Sequence, residues 1–196
     1  MSMPASAIFR GIGALGAGLA VGYQLFGALT NKSALLRPPG ALSEADFKAS
    51  CIRCGKCGLA CPYRVVAFDR PESYGTPCIA PREGACHLCE DFPCITSCPT
   101  GALAPVKDRA SVRMGVAVIN RDLCVAFRGI RCEVCYRVCP FIDKAIEIKF
   151  STREGDARHM IFEPVVNGEY CVGCGICEER CIIHDPMAVY IKPRDS

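Results

Sequence analysis

Four groups of four cysteines dominate the sequence after residue 50, and this internal repeat constrains the fold more than any other feature. Every group closes with the same step, in which three residues separate the third cysteine from the fourth. Proline follows the last cysteine of the first three groups, and Ile182 follows that of the fourth. The groups, called motifs 1 to 4, are Cys51, Cys54, Cys57 and Cys61; Cys86, Cys89, Cys94 and Cys98; Cys124, Cys132, Cys135 and Cys139; and Cys171, Cys174, Cys177 and Cys181.

The spacing within the motifs indicates iron-sulfur ligation. Motifs 1 and 4 read C-x2-C-x2-C-x3-C, motif 2 lengthens the middle gap to four residues, and motif 3 lengthens the first gap to seven. In bacterial ferredoxins this run binds one 4Fe-4S cluster through three thiolates, while the fourth thiolate binds a second cluster. Zinc knuckles instead present two separated C-x2-C pairs. We therefore predict that the sixteen cysteines bind four 4Fe-4S clusters.

Composition excludes several other classes of protein. The 17 cysteines are an odd number in a chain of 196 residues, whereas disulfide frameworks are typical of chains below about 80 residues. A net charge of +3 is too small for a nucleic-acid-binding protein. No residue is a candidate catalytic acid, base or nucleophile. The sequence thus predicts a non-catalytic electron-transfer subunit rather than an enzyme.

A few residues near the motifs have two interpretations. Cys78, the seventeenth cysteine, is interpreted as a small buried or free thiol, but its seven-residue gap to Cys86 would also suit a competing ligand of motif 2. His87 is interpreted as a surface histidine, with hydrogen bonding around a cluster as the alternative. Arg128 and Arg131 are either solvated loop residues or cations that face a cluster or an acidic partner.

The N-terminal segment carries eighteen uncharged residues, 12–29, between Arg10 and Lys32. A helix over them would be about 27 Å long, just short of the roughly 30 Å hydrocarbon core of a bilayer. A membrane anchor is the preferred interpretation of residues 1–34, and an export signal and a buried soluble helix are the alternatives. Residues 35–50 are predicted to form a linker and a short helix that Ser43 and Asp46 begin, as in a capping box.

The predicted fold class is α+β, with two ferredoxin-like two-cluster modules behind the N-terminal apolar helix. Sequential pairing gives one module over residues 51–110, with motifs 1 and 2, and another over residues 111–196, with motifs 3 and 4. A nested arrangement, with motif 1 beside motif 4, is the alternative. Strands are expected at residues 116–119, 145–150, 160–162, 165–166 and 188–191.

The motifs resemble the NapG/MauM family of ferredoxin-type proteins, and its NapG branch most. The stretches that carry the resemblance are LRPPGAL from residue 36, CIRCGKCGLACPY from 51, CHLCEDFPCITSCPTGAL from 86, RMGVAV from 113, GIRCEVCYRVCP from 129 and CVGCGICEERC from 171. The resemblance implies four 4Fe-4S clusters that carry electrons from an integral-membrane quinol dehydrogenase of the NapH type. The acceptor would be a terminal reductase, such as periplasmic nitrate reductase, or a c-type cytochrome.

The resemblance also implies a membrane-associated protein on the periplasmic side of the inner membrane. The family usually carries a twin-arginine export signal, but residues 6–10 of this chain contain Arg10 alone, so the cytoplasmic face stays open. Two alternative functions also remain at this point. One is the same relay in another respiratory or a methylamine-oxidising complex, and the other is an assembly factor for a redox enzyme.

Overall fold

Short helices and two-stranded antiparallel sheets make up the fold, in a computed structural model that describes residues 35–153 and 156–194. The predicted N-terminal helix and the arginine of the export signal lie outside these residues. Within the described ranges no helix is long and apolar enough to cross a membrane. The elements are α1 (Glu44–Ser50), α2 (Lys56–Leu59), β1 (Val66–Ala67), β2 (Cys78–Ile79), α3 (Pro93–Thr96), β3 (Gly115–Ile119), α4 (Val134–Arg137), β4 (Ile146–Arg153), β5 (Asp156–Val166), α5 (Ile176–Arg180) and β6 (Val189–Pro193), with single 3-10 turns at Pro71–Ser73 and Arg109–Ser111.

Helix α1 begins where the capping pattern places it. The hydroxyl of Ser43 accepts a hydrogen bond from the Asp46 amide at 3.3 Å, and the helix ends just before Cys51. The preceding segment is held by Arg37, whose buried guanidinium donates to Glu44, to the Thr76 hydroxyl at 2.9 Å and to the Pro77 carbonyl at 2.8 Å. The linker thus packs onto the cysteine-rich body.

The two halves of the body repeat one plan of strand pairing. In the second half, β3 pairs with β6 and the connection between motifs 3 and 4 forms the β4–β5 hairpin. In the first half, Ala41 bridges to Leu103 and the connection between motifs 1 and 2 forms the short β1–β2 pair. Each half therefore pairs its outer flanks and folds its connection into a hairpin, as expected of two ferredoxin-like modules.

Most predicted strands are present, with different limits. Strands β3 and β6 match the expected segments to within two residues, but β5 runs unbroken through Pro164, where two separate strands were expected. Proline donates no hydrogen bond, and both strands of a two-stranded sheet have a free edge, so the chain continues through it. Strands β1 and β2 were not predicted because each is only two residues long.

One hydrophobic core serves both modules. Phe47 and Leu88 from the first module and Val112 and Val172 from the second are all essentially inaccessible to solvent, and they belong to the same cluster of buried side chains. A smaller cluster around Ala126 and Ala188 lies beneath motif 3. The modules are consequently parts of one compact unit.

Candidate iron-sulfur sites

Among residues 35–153 and 156–194, four cavities of similar size are lined by cysteines. Their volumes are about 340, 370, 400 and 330 Å³ for the cavities called site A to site D. The cysteines are Cys51, Cys54, Cys57 and Cys98 in site A; Cys61, Cys86, Cys89 and Cys94 in site B; Cys139, Cys171, Cys174 and Cys177, with Cys135 at its edge, in site C; and Cys124, Cys132, Cys135 and Cys181 in site D.

The fourth cysteine of each motif lines the cavity of the neighbouring motif. Cys61 of motif 1 lies in site B, and Cys98 of motif 2 lies in site A. Cys139 and Cys181 are exchanged in the same way between motifs 3 and 4. These four cavities combine motif 1 with motif 2 and motif 3 with motif 4, which is the sequential arrangement, and none of them combines motif 1 with motif 4.

Short helices produce this exchange. In motif 1, Gly55 adopts a left-handed conformation with φ +75°, which turns the ligand loop into α2, and α2 contains Cys57. The helix lasts four residues, so Cys61 follows one turn later. Gly175 with φ +87° begins α5 in motif 4 in the same way. The third cysteine lies within the short helix and the fourth lies just after it, so the two line different cavities.

The cysteines do not converge as ligands of a single ion would. Among the described residues, no three His, Cys, Asp or Glu side chains approach closely enough to bind one metal ion. Tetrahedral zinc would require four sulfurs within about 2.3 Å of one point. A 4Fe-4S cluster binds its four cysteines through separate iron atoms. Four spaced cysteines around an otherwise mostly apolar cavity therefore fit such a cluster better than a zinc ion.

Backbone amides point at several of the sulfurs. The Ala117 amide on β3 donates to Cys171 Sγ at 3.4 Å. Although burial opposes it, hydrogen bonds from the backbone of Leu103 and from Thr100 lower the pKa of Cys98 below its ordinary value. Such donors stabilise a negatively charged sulfur. These contacts would partly offset the charge of a cluster.

The buried thiols hold their protons strongly. Burial raises the pKa of Cys86 and Cys135 to about 12, and that of Cys57, Cys94 and Cys174 to about 11. Iron binds the thiolate, so ligation must replace these protons. Burying unpaired thiolates in an iron-free site would be costly. Bound iron would offset their negative charge.

The sites form a continuous series. Helix α2 of motif 1 packs against α3 of motif 2, which places site A beside site B. The Cys86 amide donates to the Cys174 carbonyl at 2.9 Å, which joins site B to site C. Cys135 lines both site C and site D. In space the order is A, B, C, D, so the motifs follow one another as 1, 2, 4 and 3.

Two glycines of motif 4 allow close contacts, Gly175 between sites B and C and Gly173 within the second module. A Cβ atom on Gly175 would lie 2.5 Å from Cβ of Pro81, and one on Gly173 would lie 2.3 Å from the Gly115 nitrogen. Arg82 adds hydrogen bonds from the first module to the Ile183 carbonyl at 3.1 Å. Pro81 and Arg82 of the first module therefore pack directly against the backbone of the second module.

The other residues that the sequence analysis singled out are Cys78, His87, Arg128 and Arg131. Cys78 is buried on β2, where its thiol lies 3.6 Å from the Ala67 carbonyl oxygen, and it lines none of the four cavities. His87 is exposed and stacks on Tyr63 with ring centroids 3.8 Å apart at site B. Arg128 donates to the Asp122 carbonyl, and Arg131 pairs with Glu133 at 2.9 Å.

Glu178 is a structural residue that the sequence did not single out. Glu178 directly follows Cys177, and its buried carboxylate accepts a hydrogen bond from the Ile191 amide at 2.6 Å. Burial raises the pKa of Glu178. The only signal in the sequence was a glutamate inside a helix of five residues, which would ordinarily be taken as solvated.

Comparisons with known proteins agree with this geometry. A 4Fe-4S dicluster domain matches residues 50–102 and 128–183, the second match beginning after Cys124. Two dicluster matches support four 4Fe-4S clusters. The ferredoxin-type protein NapG of Escherichia coli is 40% identical over 95% of this chain and 82% of its own length, and NapG of Haemophilus influenzae is 40% identical over 93% and 67%. The methylamine utilization ferredoxin-type protein MauM of Methylorubrum extorquens is 41% identical over 91% and 82%.

Proposed function

The chain belongs to the NapG/MauM family of ferredoxin-type iron-sulfur proteins, and from that membership we propose that it relays single electrons along sites A to D. When bound, a 4Fe-4S cluster accepts and releases one electron without making or breaking bonds. The observation that carries the proposal is the unbroken series of four cysteine-lined cavities, each beside the next. A relay needs this continuity, whereas clusters that served only as structural crosslinks would not.

We assign the sixteen motif cysteines as the ligands, in the sets that line each cavity. Three come from one motif and the fourth from its partner motif, as in the bacterial ferredoxin run. The backbone donates hydrogen bonds to the sulfurs of Cys98 and Cys171, and apolar side chains exclude water. These contacts set how easily each site is reduced.

The electron donor that we propose is an integral-membrane quinol dehydrogenase of the NapH type. The acceptor is a terminal reductase, with periplasmic nitrate reductase as the first candidate, reached directly or through a c-type cytochrome. We place the protein at the periplasmic side of the inner membrane, with residues 12–29 as its anchor. The similarity to NapG and the uncharged stretch support this assignment.

A second candidate is the same relay in methylamine oxidation. It is favoured by the 41% identity to MauM, which equals the identity to NapG within one per cent. The cysteine sites would serve either system, because the clusters carry electrons whatever the final acceptor. Transfer from the reduced protein to nitrate reductase, compared with transfer to the methylamine system, would decide between them.

Anaerobic holoprotein in membranes that contain or lack a NapH-type dehydrogenase provides the test. With the dehydrogenase present, a quinol analogue should reduce the clusters within the turnover time, as seen by electron paramagnetic resonance, and air-free oxidant should reverse the change. Clusters that stay oxidised, or that are destroyed on reduction, would contradict the relay. An assembly factor would instead restore a reductase that then works after this protein is removed.

A further inference from the structure

Motifs 1 and 4 have the same spacing, but their ligand loops have different surroundings. The loop of motif 4 is buried at the junction between modules, where Val172 is 1% exposed. At the corresponding position of motif 1, Ile52 is 62% exposed, and Cys54 in the same loop is exposed as well. A Cβ atom on Gly55 would meet no described residue within 4 Å, whereas one on Gly175 would clash with Pro81.

Within the part of the chain that the structure describes, the ligand loop of motif 4 is thus docked and that of motif 1 is not. The docked loop brings site C against site B, with a backbone hydrogen bond between Cys86 and Cys174. The undocked loop covers site A, which stands at one end of the series. A relay must exchange electrons with other molecules at its ends, so an uncovered ligand loop at site A lies where a partner is needed.

The side chains of the two loops differ in charge. Arg53 and Lys56 occupy the places that Gly173 and Ile176 occupy in motif 4. Both cations are exposed, and among the described residues neither is ion-paired. Residues 47–68 contain no aspartate or glutamate. The ligand loop of motif 1 and α2 therefore carry positive charges only.

Exposed apolar side chains accompany these cations. Leu59 is 89% exposed at the end of α2, and Ile52 lies in the loop itself. A mixture of apolar contact and surrounding charge is typical of transient protein interfaces. At the other end of the series the cations nearest the ligands are ion-paired, because Arg131 beside Cys132 and Arg137 on α4 both pair with Glu133. The ligand loop at site A therefore carries cations without ion-pair partners among the described residues, and site D lies beside ion-paired ones.

Resting on the proposed function, we propose that residues 52–56 and Leu59 form the docking surface of site A for a redox protein with an acidic face. One electron passes between the reduced centre of one protein and the oxidised centre of the other, and neither a bond nor a proton is transferred. The positive side chains would raise the encounter rate of an acidic partner. The apolar pair would hold it against the Cys54 loop.

A plant-type ferredoxin, which is acidic and a one-electron donor, can serve as the probe. Reduced probe is mixed with oxidised holoprotein, and the rate of cluster reduction is followed by stopped flow at low and high salt. We expect Lys56→Glu and Arg53→Glu each to lower the low-salt rate roughly tenfold, with the difference shrinking at high salt because the charges are screened. Lys149→Glu, an exposed change on β4, is the matched control and should alter the rate less than twofold.

The outcomes separate this surface from the relay itself. If dithionite reduces the clusters reversibly in every variant but Lys56→Glu behaves like Lys149→Glu, the docking surface is wrong and the relay stands. Lys56 forms no hydrogen bond through its side chain among the described contacts, so its replacement tests the surface even if Arg53→Glu perturbs the loop that Arg53 ties to the Tyr74 carbonyl. Vesicles of anionic lipid give a further comparison: if Lys56→Glu weakens only vesicle binding, the surface contacts membrane and the protein partner is excluded.

Discussion

The backbone amide of Cys86 donates a hydrogen bond to the carbonyl oxygen of Cys174 over 2.9 Å. Cys86 is the first cysteine of motif 2 and Cys174 is the second cysteine of motif 4, so the two partners lie 88 positions apart in the sequence. Together with the shared hydrophobic core, this contact places sites B and C next to each other. The junction between modules therefore includes residues that line two of the sites. Small changes in its backbone geometry would change the separation of sites B and C.

If the fourth cysteine of each motif binds the cluster of the neighbouring motif, the iron lost by a double variant depends on whether its two cysteines line one site or two. Cys54→Ala combined with Cys98→Ala damages site A alone, so about 12 irons per chain should remain of about 16. Cys89→Ala combined with Cys98→Ala damages sites B and A, so about 8 should remain. Iron analysis of anaerobically purified variants measures both. Equal iron in the two double variants would contradict the exchange.

Two glycines at equivalent positions should tolerate alanine differently. Gly55 and Gly175 both have positive φ, so each alanine should cost about 1–2 kcal/mol of backbone strain. Gly175→Ala adds a clash with Pro81 and should lose a further 1–3 kcal/mol or so. Thermal unfolding of anaerobic holoprotein should place Gly175→Ala well below Gly55→Ala. Similar midpoints would mean that the junction relaxes easily.

Glu178 should matter as a hydrogen-bond acceptor rather than as a charge. Glutamine keeps an oxygen for the Ile191 amide, so Glu178→Gln should change the free energy of unfolding by less than about 1 kcal/mol. Glu178→Ala leaves that buried amide unpaired and should cost about 1–3 kcal/mol. Rates of cluster loss on heating compare the two variants. A glutamine variant as unstable as the alanine variant would show that the negative charge itself is required.

Cluster uptake should become more favourable as pH rises from 7 to 9. The pKa of Cys86 and Cys135 is about 12 in the iron-free fold, so these thiols are protonated at neutral pH and iron must displace their protons. For the iron-free fold alone the sign is opposite. Because its pKa values are raised, its stability is full below the ordinary thiol pKa of 9.0 and falls as pH rises toward 12.

Competition between the chain and an iron chelator at pH 7 and pH 8.5 measures the first effect. The share of iron retained as cluster should be greater at pH 8.5, once the chelator's own protonation is corrected. Circular dichroism of iron-free chain, if it retains structure, measures the second effect between pH 8 and pH 11. If the share of iron retained as cluster falls as pH rises, protonated thiols are not the state that competes with cluster binding.

The sequence predicts what is local in this molecule. The motifs, the capped start of α1 at Ser43 and the long strands of the second module follow from spacing and periodicity. The exchange of Cys61 and Cys98 follows from the known geometry of the x3-C step. Each of these depends on residues a few positions apart, so a single chain carries enough information to place them.

What the sequence does not predict depends on distant backbone contacts. Nothing near Gly173 or Gly175 identifies Pro81 and Gly115 as the groups that exclude a side chain there. The two-residue strands β1 and β2 have no periodicity to detect. Glu178 resembles a solvated helix residue until β6 folds over it and presents the Ile191 amide. These features arise only when parts of the chain that are distant in sequence pack together.

The exchanged fourth cysteines have a consequence for biosynthesis. Site A needs Cys98, the last cysteine of motif 2, and site D needs Cys181, the last of motif 4. On a ribosome, neither site of a module can therefore be completed before both of its motifs have been translated. All eight cysteines of sites A and B lie in the first half of the chain, so translation supplies the ligands of the four sites in two sets, each for one pair of sites.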